Sequence, residues 1–278
     1  MNPKISIVTI SFNCKDAIEK TIKSVIGLTY NNIEYIVIDG GSKDGTVDVI
    51  NKYRNRINYF VSERDHGIYD AMNKGIKAAT GDWINFMNAG DFFASKDVLE
   101  QVVAQMDNTA IVVHGDCITQ YDGYYYREQP VCEQHMAERM PIIHQSAFIR
   151  LDYHKSHLFD ASFRSSGDYN FFYKCHFVDH CKFQYIPVLV SSFDNTEGMS
   201  KDNHSLSLHE NLRIWGKEKD LLFRFKQECH LAKFRIVMWL KKRFYDEKKN
   251  RTAGINRARR LGWDVQMGDY WEQTHQSE

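Results

Sequence analysis

The sequence predicts an α/β fold: a mostly parallel central sheet with helices on both faces, followed by a helical C-terminal extension. Short β-branched or apolar runs at Lys4–Ser11, Ile33–Asp39, Ile57–Val61 and Trp83–Met87 alternate with stretches of helical period. Alternation at this spacing builds βαβ units and a parallel sheet covered on both sides. Each run also ends at a polar turn, and three of those turns deliver an aspartate. The chain has 278 residues, 43% hydrophobic and 26% charged. That is enough to bury a full core.

The first run suits a buried parallel strand because it is dominated by Ile, Val and Thr. Ala17, Ile18, Ile22, Val25 and Ile26 then share one helical face. The second run brings Asp39 to its carboxyl end, and Gly40-Gly41-Ser42-Lys43-Asp44-Gly45-Thr46 turns into a helix with capping residues at its start. After the third run, Ser62 to Gly67 leads into a helix over Ile68–Thr80. The fourth run stops at Asn88-Ala89-Gly90-Asp91. A helix over Val98–Met106, a strand over Ala110–His114 and a hairpin at Asp122-Gly123 follow, with Tyr124, Tyr125 and Tyr126 better suited to cross-strand packing than to stacking on a sugar. Pro141 to Phe148 precedes Ser165-Ser166-Gly167-Asp168, which opens a helix. A strand is expected over Lys182–Val190. The domain reading is a catalytic domain over 1–212, with halves at about 1–115 and 116–212, and an extension over 213–278.

Asp39, Asp65 and Asp91 all fall at strand ends, where open α/β sheets form their ligand crevices. Each turn, taken singly, is also an ordinary cap. The dinucleotide fingerprint G-x-G-x-x-G is absent after the first strand, where Ser11-Phe12-Asn13-Cys14 stands, and there is no lysine-bearing phosphate loop. A diphosphate handled without a glycine-rich cradle calls for a divalent cation. Asp91, beside Asn88, Ala89 and Gly90, offers the oxygen ligation that Mg²⁺ or Mn²⁺ prefers.

The formal net charge is zero but uneven. Residues 213–260 carry 16 Lys+Arg against 5 Asp+Glu, residues 261–278 carry 4 acids and no base, and residues 1–212 carry 20 bases and 27 acids. A basic segment on an acidic body points to an anionic surface as its partner. The stretch 221–245 reads as a basic amphipathic helix, either packed in the protein or at a subunit contact, or laid on anionic lipid. No nucleic-acid-binding motif accompanies it, so nucleic acid is not expected. Six cysteines without a C-x-x-C pair, and no signal-like start, suggest a reducing, cytoplasmic setting. Cys175, His176, His180 and Cys181 bunch their candidate ligands at adjacent positions with no C-x₂₋₄-C pair, so zinc is not expected. No apolar run reaches eighteen residues, so no membrane span is expected.

In order and spacing these motifs resemble those of glycosyltransferase family 2, the inverting nucleotide-sugar transferases of GT-A (nucleotide-diphospho-sugar transferase) fold. The opening strand with Thr9, Phe12 and Asn13, the segment Asp39 to Thr46, the segment Asp65 to Gly75 and the turn Asn88 to Asp91 match four family motifs over roughly residues 4–200. The Ile-Tyr-Asp-Ala-Met-Asn-Lys-Gly form is similar to a bacterial exopolysaccharide branch that includes colanic-acid-type transferases. The resemblance implies a donor site of Thr9, Phe12, Asn13, Asp39, Asp65, Gly67, Asn73, Asn88 and Asp91. Asp39 would accept the base imide N–H, and Asp91 would hold the metal. It implies Asp168 as general base, with His144 and Gln145 on the acceptor side. Glu197-Gly198-Met199-Ser200 resembles a loop that closes over the donor; His204 and His209 are surface residues or diphosphate contacts. Met72 stands where the family commonly has Arg, and Asn88 and Gly90 replace acids of the metal motif.

The function so implied is metal-dependent, non-processive, inverting transfer of one sugar from a nucleotide-sugar donor, UDP favoured, to a glycan or lipid-linked acceptor in bacterial surface polysaccharide synthesis. The expected place is the cytoplasm, at the inner face of the inner membrane, with oligomeric state open. A sugar nucleotidyltransferase would share the core and the metal but needs a glycine-rich N-terminal loop and a lysine that are missing. A non-catalytic carbohydrate-binding or scaffold protein is the other alternative, because the metal motif is degenerate.

Overall fold

The computed structural model describes residues 2–130, 133–194, 204–243, 247–260 and 263–275. They form two compact units, one of Met1–Thr119 with Glu128–Asp194, the other of Gln120–Arg127 with Asn195–Glu278. The division therefore falls at 194 rather than 212, and the tip of the 120–127 hairpin joins the second unit. The expected loop at Glu197 to Ser200 lies outside the described residues.

In the first unit the chain runs β1 (Ile5–Ser11), α1 (Lys15–Ile26), β2 (Ile33–Asp39), α2 (Thr46–Lys52), β3 (Tyr59–Ser62), α3 (Ile68–Ala78), β4 (Trp83–Phe86), β5 (Phe92–Phe93), α4 (Val98–Gln105) and β6 (Val112–Tyr121). After the hairpin partner β7 (Tyr124–Glu128) come β8 (Ala147–Arg150), α5 (Leu151–Ser156), α6 (Gly167–Phe177) and β9 (Phe183–Asp194). β1 pairs in parallel with β2 on one side and β4 on the other, and β2 with β3. Beyond β4 the direction changes: β8 lies antiparallel to both β4 and β6, and β5 to β9. The sheet is parallel only where helices make the crossovers. An antiparallel neighbour needs none, which is how β8 enters beside β4.

Successive side chains of β1 face opposite ways. Ile5 and Ile7 pack in the main core with Ile18, Ile22 and Val25 of α1. On the other face, a Cβ added at Gly75 of α3 would collide with Val8, so α3 lies against β1 at glycine distance. Helices thus cover both faces. The cost of a glycine within α3 is offset by this close approach.

The second unit holds the tyrosine-rich hairpin tip, α7 (His204–Ile214), α8 (Leu221–Arg243), α9 (Glu247–Arg260), β10 (Val265–Met267) and α10 (Tyr270–His275). Tyr121 stacks on Tyr124 with ring centroids 5.0 Å apart, and Tyr126 stacks on Trp263 at 4.4 Å. Together with Ile255, Ala258 and Val265 they make a small core. The hairpin tyrosines pack, as their spacing predicts. No helix among the described residues is long and apolar enough to cross a membrane.

Candidate active site

The expected site residues lie in the first unit, at the carboxyl ends of β1, β2 and β4 and on the segments that approach them. They fall into two groups joined by β1.

The first group surrounds Asp39. Its carboxylate has no exposed surface and accepts five hydrogen bonds: Ser11 Oγ at 3.0 Å, Ser62 Oγ at 2.6 Å, the Ser42 hydroxyl, and the backbone N–H groups of Gly41 and Ser42 at 3.0 and 2.9 Å. Burial alone would raise its pKa, yet donors from Ser42, Ser62 and Ser11 bring it below the usual carboxylate range. Asp39 ties the ends of β1, β2 and β3 to the following loop. Its expected contact with a nucleobase would have to compete with these five bonds. Thr9 is fully buried, and its hydroxyl meets the Tyr35 hydroxyl at 3.1 Å in the core.

Asp65, Gly40 and Phe12 converge on the outer side of this knot. A Cβ on Gly40 would overlap the Asp65 carboxylate and press on the Phe12 ring. Phe12 is 62% exposed. Asp65 Oδ1 accepts the Gly67 N–H at 3.0 Å. Asn13, at φ 46°, accepts the Lys43 N–H at 3.0 Å and donates its own N–H to Ser42 Oγ at 2.8 Å. Asn73, also expected in the donor site, bonds the backbone in this structure. Its amide both donates to the Phe159 carbonyl at 2.9 Å and accepts the Phe159 N–H at 3.0 Å, a clamp between α3 and the chain before α6.

The second group is built on the turn after β4. Gly90, at φ 105°, turns the chain so that Asp91 points into the interior, and α1 pins this turn through Thr21, whose hydroxyl accepts the Gly90 N–H and donates to the Asp91 carbonyl. Asp91 is 5% exposed. Its Oδ2 accepts Gln145 Nε2 at 2.8 Å and its Oδ1 the Asp194 N–H at 3.3 Å. Burial dominates and pushes its pKa up to about 6, against the pull of Gln145 and His144. Gln145 is held in turn, because its carbonyl and that of Ala147 both accept Asn85 Nδ2 at 2.9 Å.

Asn88 contacts His144, with 3.2 Å from Nδ2 to Nε2, and His144 Nδ1 stands 3.3 Å from Asp168 Oδ2. Asp168, in the first turn of α6, takes the Tyr69 hydroxyl on Oδ1 at 3.0 Å and the Tyr169 N–H at 2.9 Å. Burial would raise its pKa, but His144, the Tyr169 N–H and Tyr69 leave it lowered, which favours the ionised carboxylate. Tyr69 reaches it because position 167 is glycine: a Cβ there would come within 2.7 Å of the ring.

The expected His144, Gln145, Asn88, Asp91 and Asp168 are therefore brought together, while Phe12, Asn13, Asp65 and Gly67 form the neighbouring rim. Sequence reasoning missed Tyr69 and Thr21. Tyr69 lay within a recognised motif, but its partner is 99 residues away. Among the described residues no cluster of three or more His, Cys, Asp or Glu is arranged to hold a metal. The oxygens that the turn offers are the Asp91 carboxylate and the buried Oδ1 of Asn88, which has no hydrogen-bond partner. One carboxylate with an amide oxygen suits a hard cation that draws its other ligands from phosphate and water.

Comparison with known proteins identifies the family and the fold. The model of glycosyl transferase family 2 matches residues 6–166. An uncharacterized glycosyltransferase of Mycobacterium tuberculosis (strain ATCC 25618 / H37Rv) is 45% identical over 102 residues, 36% of this chain and 39% of that protein. The PGL/p-HBAD biosynthesis glycosyltransferase of Mycobacterium bovis (strain BCG / Pasteur 1173P2) is 26% identical over 71% of this chain and 79% of its own length. S. aureus TarS 1-349, solved with UDP-GlcNAc, superposes at a TM-score of 0.61 with 17% identity, over 76% of this chain and 64% of that one. Mannosyltransferase PcManGT from Pyrobaculum calidifontis, solved with GDP-Man and Mn²⁺, gives 0.61 and 17% over 77% and 64%. The alignments thus span under two thirds of the mycobacterial protein of 45% identity and of both solved chains. The fold is GT-A, and with the family match covering more than half its length, the chain belongs to glycosyl transferase family 2.

Proposed function

We propose that this chain transfers one sugar from a nucleotide-sugar donor to a hydroxyl of a glycan or lipid-linked acceptor, with inversion at the anomeric carbon, as part of bacterial surface polysaccharide synthesis on the cytoplasmic side. The observation that carries the reading is the Asp168 carboxylate, ionised and oriented by Tyr69 and His144 beside the Asn88–Asp91 turn. In direct displacement a base must take the acceptor proton at about 3 Å. Asp168 Oδ2 receives that proton as the acceptor oxygen attacks the anomeric carbon and the bond to the nucleoside diphosphate breaks. The imidazole of His144 fixes the carboxylate plane, and Asn88 fixes the imidazole. Phe12, with Asp65 and Gly67 beside it, offers a stacking face for the base of the donor. Asp91 and Asn88 Oδ1 would hold Mg²⁺ or Mn²⁺, which neutralises the leaving diphosphate when bound. A UDP donor is favoured, in line with the UDP-GlcNAc held by TarS.

Thermal unfolding with UDP, GDP, dTDP and CDP, each with and without Mn²⁺, tests the donor site, since a ligand bound to the native state raises the melting temperature. One nucleotide is expected to stabilise the protein, more with Mn²⁺ than without, and Asp91→Ala to remove the metal-dependent part. If no nucleotide shifts the melt, the reading fails and a non-catalytic carbohydrate-binding role takes its place. Pyrophosphate release from a nucleoside triphosphate and a sugar 1-phosphate would instead indicate a nucleotidyltransferase.

A further inference from the structure

α8 carries an apolar stripe on its exposed side. Leu221, Phe225, Ile236 and Trp239 are 77%, 66%, 60% and 59% exposed, and Leu222 is 66% exposed. The spacings of 4, 15 and 18 residues from Leu221 are close to whole turns, so these side chains line one face over roughly 27 Å of helix. Exposed Cys229 and Ala232 continue the line. The helix has an opposite, anchored side. Leu231 is buried, and Phe223 packs edge-on against Trp215 at 6.0 Å with Lys217 over its ring at 4.3 Å. A helix tethered by one face while showing water this many large apolar side chains on the other is prepared for a partner surface.

The charges name the partner. The helix has seven Lys+Arg and one acid, Glu228. Glu228 lies 3.7 Å from His209 of α7. Arg224 and Lys233 are exposed beside the apolar line. The surrounding segment 213–260 carries 16 bases to 5 acids, so a second copy presenting the same segment would be repelled. An anionic, apolar surface satisfies both features. An amphipathic helix with cations flanking Phe, Trp, Leu and Ile lies in the headgroup plane of an acidic bilayer and does not cross it.

We infer that α8 is a membrane-surface anchor, seated on anionic phospholipid through Leu221, Leu222, Phe225, Ile236 and Trp239. The inference stands apart from the transfer reaction, and its test reads binding alone. The full chain is sedimented with phosphatidylcholine vesicles containing phosphatidylglycerol and with pure phosphatidylcholine vesicles, in low and high salt, beside the double variant Phe225→Glu/Ile236→Glu. Both positions are exposed, so the variant is expected to keep the wild-type melting temperature and nucleotide-induced shift. Wild type is expected to sediment with the anionic vesicles only, less in high salt, and the variant to bind roughly tenfold more weakly or worse. The inference is overturned if wild type ignores anionic vesicles or if the variant binds as well as wild type. It is overturned as well if light scattering finds a wild-type dimer that the variant splits while neither binds vesicles, which would give the face to a second copy.

Discussion

The phenol of Tyr69, in the first turn of α3, donates to Asp168 Oδ1, in the first turn of α6, across 3.0 Å. One hydrogen bond thus joins the motif that follows β3 to the carboxylate proposed as base. Tyr69→Phe keeps the ring and its packing and removes only this donor. A hydrogen bond to a charged group contributes about 1.5–3 kcal/mol, so kcat is expected to fall roughly tenfold to a hundredfold with the donor KM little changed. The acid limb of the rate–pH profile should move up, because the carboxylate loses a donor that lowers its pKa. Asp168→Asn should cost about 10²–10⁴ in kcat and leave nucleotide-induced melting shifts intact. A Tyr69→Phe enzyme with a wild-type pH profile would detach the tyrosine from the base.

Gly167 permits that contact. With Ala the new Cβ would sit 2.7–2.8 Å from three atoms of the Tyr69 ring. Overpacking of this kind costs about 1–3 kcal/mol, measurable by urea unfolding, and the displaced phenol should lower kcat together with stability. Unchanged stability would mean that the ring moves freely.

His154 sets an acid limit on the fold. It is fully buried among Phe86, Phe159 and Phe171, its Nδ1 is 3.0 Å from the His157 carbonyl, and its Nε2 has no partner. Burial pushes its pKa down to about 4, against an ordinary value of 6.5. Between those values the unfolded chain binds a proton that the folded chain does not, so stability is full above about pH 6.5 and falls as pH drops toward 4. The shift corresponds to about 3 kcal/mol. Urea unfolding at several pH values should show that loss, and His154→Phe should flatten this part of the curve.

Asn73 distinguishes a structural clamp from a donor contact. Asn73→Ala breaks both bonds to the Phe159 backbone and leaves buried groups without partners. A loss of about 2–4 kcal/mol in stability is expected, with nucleotide affinity unchanged in the folded fraction. A selective loss of nucleotide binding at wild-type stability would return Asn73 to the donor site.

The parallel half of the sheet was legible because β-branched runs and helical faces repeat at short range, and the acids at strand ends marked the edge where the candidate site lies. Chemistry at that edge was harder to assign. Asp39 and Asn73 are residue types that bind ligands or hold backbone equally well, and the partners that decide, Ser62 and Phe159, lie 23 and 86 residues away. Tyr69 and His154 were hidden for the same reason. An aromatic or a histidine on a short helix reads as core until its distant neighbour is known. Asp168 was singled out through its motif, and its partners Tyr69 and His144 were visible only in the structure.

β8 occupies the space between β4 and β6, with Ile149 opposite both Ile84 and Val112. β4 and β6 are consequently joined through β8 in one hydrogen-bonded ladder, and the His144–Gln145 turn leads directly into it. A fragment ending near residue 115 would leave β4 with a bare edge, prone to pair with other chains. During synthesis the amino-terminal strands must wait for residue 150 before that edge is closed. A chain cut before β8 therefore also lacks the turn that brings His144 to Asn88 and Gln145 to Asp91.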